Sequence, residues 1–227
     1  YTFLWDAAGQ TTAIATGVSA GTYNVTITDF NSCSAVSTVT ITEPTAVTAS
    51  LAGTNITCFA GIDGTATASG AGGTGAAYTF VWSTTAATTA TITGQSAGTV
   101  NVTVSDVNGC SDISTVTISE PATAVSVTAV STPALCFGAA SGTATATPSG
   151  GTGAAYTFVW DAAGQTTATA TGLLAAVYNV TASDINGCSA TTSVTVTDGV
   201  AITLTTASTP VSCNGGSDGT TTVNASG

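Results

Sequence analysis

Residues 1–42 and 156–197 are identical at 28 of 42 aligned positions, and a third copy starts at Tyr78, with spacings of 77 and 78 residues between the three starts. One folding unit is serially duplicated. Whatever the chain folds into must therefore be a row of equivalent modules, each able to lean on its neighbours.

Inside each copy the apolar residues alternate with polar ones. Over 22–28, Tyr23, Val25 and Ile27 interleave with Asn24, Thr26 and Thr28, and the pattern recurs at 99–105 and 177–183. Period-2 alternation marks half-buried strands. A second alternating run follows at 37–41, 114–118 and 192–196. The connectors Asp29-Phe-Asn-Ser-Cys33, Asp106-Val-Asn-Gly-Cys110 and Asp184-Ile-Asn-Gly-Cys188 make each pair a hairpin turning at Asn-Gly or its variant.

Upstream lie an aromatic strand, 78–82, repeated at 1–5 and 156–160, a Thr-rich strand near 89–93 and a turn at 94–98. A further strand near 65–69 runs into the glycine-rich loop 69–75, preceded by one near 46–51. Six or seven short strands in about 77 residues suit a small antiparallel sandwich. The fold class is all-β: tandem immunoglobulin-like antiparallel β-sandwiches in an extended array. Glu43-Pro44 and Glu120-Pro121 punctuate the copies, because proline removes a ladder donor and stiffens a short linker. The expected division is 1–44 as the latter part of one repeat, 45–121 and 122–199 as complete repeats, and 200–227 as the opening part of another, completed by a following segment or copy.

Composition narrows the function. There are eleven Asp and Glu residues but no Lys, Arg or His, so the net charge is -11 and side-chain ion pairs cannot form. Nucleic acid and anionic membrane are repelled, no apolar run approaches the ~20 residues of a membrane span, and a trypsin-like protease finds no cleavage site. Methionine is also absent, and no basic region followed by an apolar stretch opens the chain, so a mature segment or a window of a longer chain is expected. General acid–base and nucleophilic catalysis lack their usual groups. Only a carboxylate pair, such as Asp63 with Asp112, could serve, yet the counterparts of Asp112 are Ala35 and Ala190. No enzyme, cofactor or metal is expected.

The string Cys-x-Gly-x-x-x-Gly-Thr, a Gly-Gly-Thr-Gly loop, Tyr-Thr-Phe-Val-Trp, Ala-Gly-Thr-x-Asn-Val-Thr-Val-x-Asp and Asn-Gly-Cys runs through the copies. It is carried by residues 58–65, 72–75, 78–82, 97–106 and 108–110, and again by 136–143, 150–153, 156–160 and 186–188. It resembles the SprB-type repeats of large surface adhesins from gliding Bacteroidota. Departures are Ser32 in place of the turn glycine and Ala176 in place of the counterpart of Gly98. The resemblance implies a secreted, cell-surface, multi-domain thread for attachment or motility. Head-to-tail partnership with further copies or repeats of itself is the first expectation, and recognition of surface glycans through loops is the alternative.

Six cysteines occupy two sites per repeat: Cys58, Cys136 and Cys213 before a glycine turn, and Cys33, Cys110 and Cys188 after the hairpin. With no histidine and no CxxC, disulfides in an oxidising compartment fit better than a metal. Pairing within a repeat, Cys58–Cys110 and Cys136–Cys188, is the favoured connectivity; stapling of neighbours, as in Cys58–Cys188, is the other. The Asp-x-Asn-Gly turns read as Asx-stabilised hairpins, with calcium corners at Asp106 and Asn108 as the alternative. Asn24, Asn55, Asn101, Asn179 and Asn224 head Asn-x-Ser/Thr sequons and are candidate glycan acceptors. Trp5, Trp82 and Trp160 read as core residues rather than sugar platforms.

Overall fold

A computed structural model describes residues 1–7, 9–75, 77–153, 155–162 and 164–227. It divides into two compact units, one of Tyr1–Ala52, Thr67–Thr91 and Val100–Thr115, the other of Gly53–Ala66, Ile92–Thr99 and Val116–Gly227.

The second unit holds a complete module. Its strands are β10 (Ser126–Thr132), β11 (Gly142–Ser149), β12 (Thr157–Trp160), β13 (Thr169–Leu173), β14 (Ala176–Ser183) and β15 (Ser189–Val196). They form two antiparallel three-stranded sheets, ordered β10-β11-β13 and β12-β14-β15. The first, second and fourth strands share one sheet and the third, fifth and sixth share the other, which is the immunoglobulin arrangement without its extra edge strand. Alternation decides what lies between the sheets. Ala144, Ala146 and Ala170 come from one sheet and Trp160, Val180 and Val196 from the other; Leu173 completes the cluster, and Val127, Phe158, Tyr178 and Val194 pack on it. Small alanines on one side make room for the indole on the other, so volume is matched across the two layers. Trp160 is 1% exposed and its Nε1 donates to Thr167 O at 2.9 Å, which satisfies the one polar atom that its burial carries inward.

The same order recurs upstream in β4 (Thr48–Thr54), β5 (Gly64–Ala71), β6 (Thr79–Trp82), β7 (Thr91–Gln95), β8 (Gly98–Ser105) and β9 (Ser111–Ile118), with sheets β4-β5-β7 and β6-β8-β9. Trp82 is buried and donates to Thr89 O. Two further strand sets stand apart. In the first unit β1 (Thr2–Trp5), β2 (Gly21–Thr28) and β3 (Ser34–Ile41) make a three-stranded sheet equivalent to β12-β14-β15. In the second unit β16 (Thr203–Thr209) and β17 (Thr220–Ser226) make a hairpin equivalent to β10-β11.

Residues 14–18 align with β13 yet form no strand. A strand at that position takes its ladder hydrogen bonds from the β11-type neighbour, and among the described residues no strand of that type pairs with it. Tyr23 and Tyr178 donate to the carbonyls of Ser19 and Leu174, four residues upstream, a tyrosine corner that fixes the entry to β2 and β14.

The hairpin loops differ from a two-residue Asn-Gly turn. The loop after β8 runs from Asp106 to Cys110, turns at Val107 and Asn108, and places Gly109 after them at φ +82°. Ser32 takes the equivalent left-handed conformation at φ +64°, where a side chain costs about 1 kcal/mol or more. The strand expected near 89–93 is observed at Thr91–Gln95, and Gly94, expected to open the following turn, lies inside it at φ +69°.

Candidate functional site

Two features converge at the ends of the modules: a buried carboxylate that shapes the β8–β9 and β14–β15 hairpins, and a disulfide that leaves one of those hairpins for a different repeat.

Asp106 and Asp184 are each 4% exposed and have no cationic partner, since the chain has no basic side chain. Backbone N–H groups replace one. Asp184 Oδ1 accepts from Asn186 N at 3.0 Å and Cys188 N at 2.9 Å, while Oδ2 accepts from Thr152 N at 2.8 Å. Asp106 is held the same way by Asn108, Cys110 and Thr74. One carboxylate therefore clasps its own hairpin to the glycine-rich loop 32 residues earlier. That contact explains the glycine. Gly151 sits at φ +68°, and a Cβ there would lie 2.5 Å from Asp184 Oδ2, inside any real contact. The N–H bonds, above all that from Thr152, hold the Asp184 carboxyl below the ordinary carboxylate range against the opposing effect of burial; Thr74 does the same for Asp106.

These atoms are committed to backbone donors rather than arranged as a calcium corner. Among the described residues no three His, Cys, Asp or Glu side chains are placed to hold a metal. Asp63 and Asp112 are likewise occupied: Asp63 accepts from Thr57 N, and Asp112 from Ala49 N and Ile113 N.

The disulfide joins Cys58 to Cys188 across 130 residues, with Cα atoms 5.7 Å apart. This corrects the favoured pairing: neither Cys58–Cys110 nor Cys136–Cys188 forms. The reason is where the two loops lie. Cys58 sits between β4 and β5, and its loop is fastened to the linker that leaves β9: Ile56 N donates to Ser119 O at 2.8 Å and Ala60 N to Glu120 Oε2 at 2.6 Å. The loop is thus tied to the point where the chain departs for the next repeat. The hairpin carrying Cys188 belongs to that next repeat, so the link is between neighbours. Cys33, Cys110, Cys136 and Cys213 are unpaired and exposed.

The five sequon asparagines are all exposed. In Asn24 and Asn179 the side-chain Nδ2 donates to Asp6 and Asp161, and Asn101 Oδ1 accepts from Thr115. Asn55 Oδ1 accepts from Ser119 N.

With this geometry in place, comparison with known proteins is informative in one respect. The SprB repeat model matches residues 51–87 and 128–165, so the chain carries SprB-type repeats at these stretches, a repeat typical of cell-surface gliding adhesins. Neither this repeat nor the immunoglobulin-like fold is a catalytic family. Among solved structures, the chain is similar to the N-terminal four Ig domains of Dscam1 isoform 6.44 and to a Dscam structure described under isoform specificity. Each is 12% identical with a TM-score of 0.31, over 87% of this chain and 64% of the other. The chain thus spans under two thirds of those structures. A search of curated proteins gives no match.

Reduction, or Cys188→Ser, should lower the thermal midpoint by on the order of 10 °C, since a bridge closing a loop this long contributes up to about 5 kcal/mol on the chain-entropy view; calorimetry showing an unchanged midpoint would contradict the staple. Because the folded Asp106 and Asp184 carboxyls titrate below their unfolded value, their contribution is full above that value and is lost as the pH falls through the folded one. The midpoint should therefore stay level from neutral pH to about pH 5 and drop below about pH 4. Asp184→Asn, which turns an amide toward the Thr152 donor, should lower the neutral-pH midpoint and flatten the acid limb.

Proposed function

We propose that this chain is a structural component of an extracellular surface filament or stalk, built from tandem disulfide-stapled β-sandwich repeats with copies joined head to tail. The observation that carries the reading is the Cys58–Cys188 bond, which ties a loop of one repeat to the hairpin of the next. A covalent link at that position resists separation of neighbouring modules under load, a service that a thread needs and a free-standing binding domain does not. The absence of Lys and Arg, which removes tryptic sites, suits exposure outside the cell, and SprB-type repeats, typical of cell-surface gliding adhesins, support the same reading. Among the described residues no helix is long and apolar enough to cross a membrane.

The loops support a structural role over ligand recognition. A binder diversifies its loops while its cores stay fixed, yet 72–75 and 150–153 are both Gly-Gly-Thr-Gly, and each is pinned by an aspartate and by a tyrosine hydroxyl, those of Tyr78 and Tyr156. The carboxylates that a catalytic reading needs are held by backbone donors.

Electron microscopy and light scattering of the purified chain at neutral pH test this. Linear assemblies whose mass grows in steps of the 21.7 kDa chain are expected. Monodisperse 21.7 kDa particles at every concentration, retained on immobilised glycans, would favour an adhesin module instead.

A further inference from the structure

The loop that carries Cys58 is both strained and clamped. Ala60 adopts φ +57°, a left-handed conformation that a residue with a Cβ holds only where its surroundings impose it. Here the linker that leaves β9 imposes it. Ala60 N donates to Glu120 Oε2 at 2.6 Å, Ile56 N donates to Ser119 O at 2.8 Å, and Ser119 N donates back to Asn55 Oδ1 at 3.0 Å. Pro121 restricts the backbone of Glu120 to extended conformations, so the carboxylate is offered from a stiff support. The turn itself is tight. Gly61 N donates to Cys58 O at 2.9 Å, and a Cβ at position 61 would meet that oxygen at 2.9 Å and Ile56 Cγ2 at 2.8 Å.

The clamp stands without the bond it serves. The Cys136 loop has the same posture although its cysteine is unpaired: Gly138, at φ +73°, donates from N to Asp198 Oδ1 at 3.0 Å, Ala139 N donates to Cys136 O, and Ala134 N donates to Thr197 O. A linker carboxylate therefore sets the turn by itself, and the sulfur is in place before a partner is bound. On the other side of the formed bond, Cys188 N donates to Asp184 Oδ1 at 2.9 Å, and Cys188 Sγ lies 3.4 Å from Thr57 O. Two carboxylates thus hold the two cysteines, Asp184 through the hairpin and Glu120 through the loop.

We propose that Glu120 is a positioning residue for the bond between repeats: by holding Ala60 in its left-handed conformation it presents the Cys58 thiol to Cys188 and raises the effective concentration of one thiol at the other. The proposal deepens the reading of a stapled thread and rests on it, since the group that favours the staple sits where one repeat hands over to the next. The bond forms by exchange with a small-molecule disulfide such as oxidised glutathione. The Cys58 thiolate attacks it, releasing one thiolate and leaving a mixed disulfide, and the Cys188 thiolate displaces the other. Two protein thiols are oxidised, one disulfide is reduced to two thiols, and the two protons go to the released thiolates.

A glutathione redox titration of the whole chain, read by thiol alkylation and mass spectrometry of the Cys58 and Cys188 peptides, tests it. In reduced Glu120→Ala the loop relaxes, and closing the bond must then return Ala60 to the left-handed conformation, so the equilibrium constant for oxidation should fall about tenfold. Glu120→Gln, whose amide oxygen still accepts from Ala60 N, should recover most of that loss. Asp198→Ala, which loosens only the Cys136 loop, should leave the Cys58–Cys188 constant where it is in the unmodified chain. An unmoved constant in Glu120→Ala, a loss in Glu120→Gln as large as that in Glu120→Ala, or the same loss in Asp198→Ala overturns the role of Glu120. These results leave the stapled thread standing as long as the unmodified chain pairs Cys58 with Cys188; Cys58 paired with Cys110 in the unmodified chain defeats both.

Discussion

The rest of the structure depends on one requirement: the apolar face of a three-stranded sheet of this composition leaves solvent fully only where the other sheet covers it. With no basic residue anywhere, electrostatic attraction between side chains contributes nothing, and burial of a modest Ala–Val–Trp core together with backbone ladders must hold each module. Where both sheets are present, as in β10–β15, Trp160, Val180 and Val196 vanish from solvent. In the sheet β1-β2-β3, Val25 stays buried but Trp5 is half-buried and Ile41 is 36% exposed, and residues 14–18 form no strand. A strand, here, is a property of its neighbour as much as of its sequence.

The uncompensated carboxylates show how such a chain avoids the expense of buried charge. Asp106 and Asp184 go inside because three backbone donors surround each, and the same bonds set the hairpin geometry that carries Cys110 and Cys188. Hairpin shape, glycine-rich loop and cysteine position are thereby one mechanical unit. The disulfide then transmits it across a repeat boundary, so neighbouring modules that share only a short linker gain a second covalent connection. Stability becomes a property of pairs of repeats rather than of single ones.

Much of this was legible beforehand, and what was missed has physical causes. Alternation of Tyr, Val and Ile located β2, β8 and β14 to within a residue, because half-buried strands write their burial into the sequence. The second strand of each hairpin begins about three residues earlier than the alternation shows: Ser34 pairs with Thr28 although neither is apolar. Trp82 and Trp160 took the core places expected of them. The turn chemistry was read in part, since Asx bonding by Asp106 and Asp184 was evident, but the third bond to Thr74 or Thr152 reaches another loop. Its only sequence trace is that the aspartate and Gly-Gly-Thr-Gly occur together in both complete copies. Cysteine connectivity depends on which end of a module each loop occupies and on which linker holds it, and neither is written in spacing alone.

Disulfide mapping of the native, non-reduced chain bears most directly on the claim that the covalent link runs between repeats. Thiols are blocked, the protein is cleaved at acidic and aromatic residues, and linked peptides are identified before and after reduction. The account expects a peptide pair joining Cys58 to Cys188. Recovery of Cys58 with Cys110 and of Cys136 with Cys188 would return the bonds to single modules and remove the connection on which the proposed thread relies.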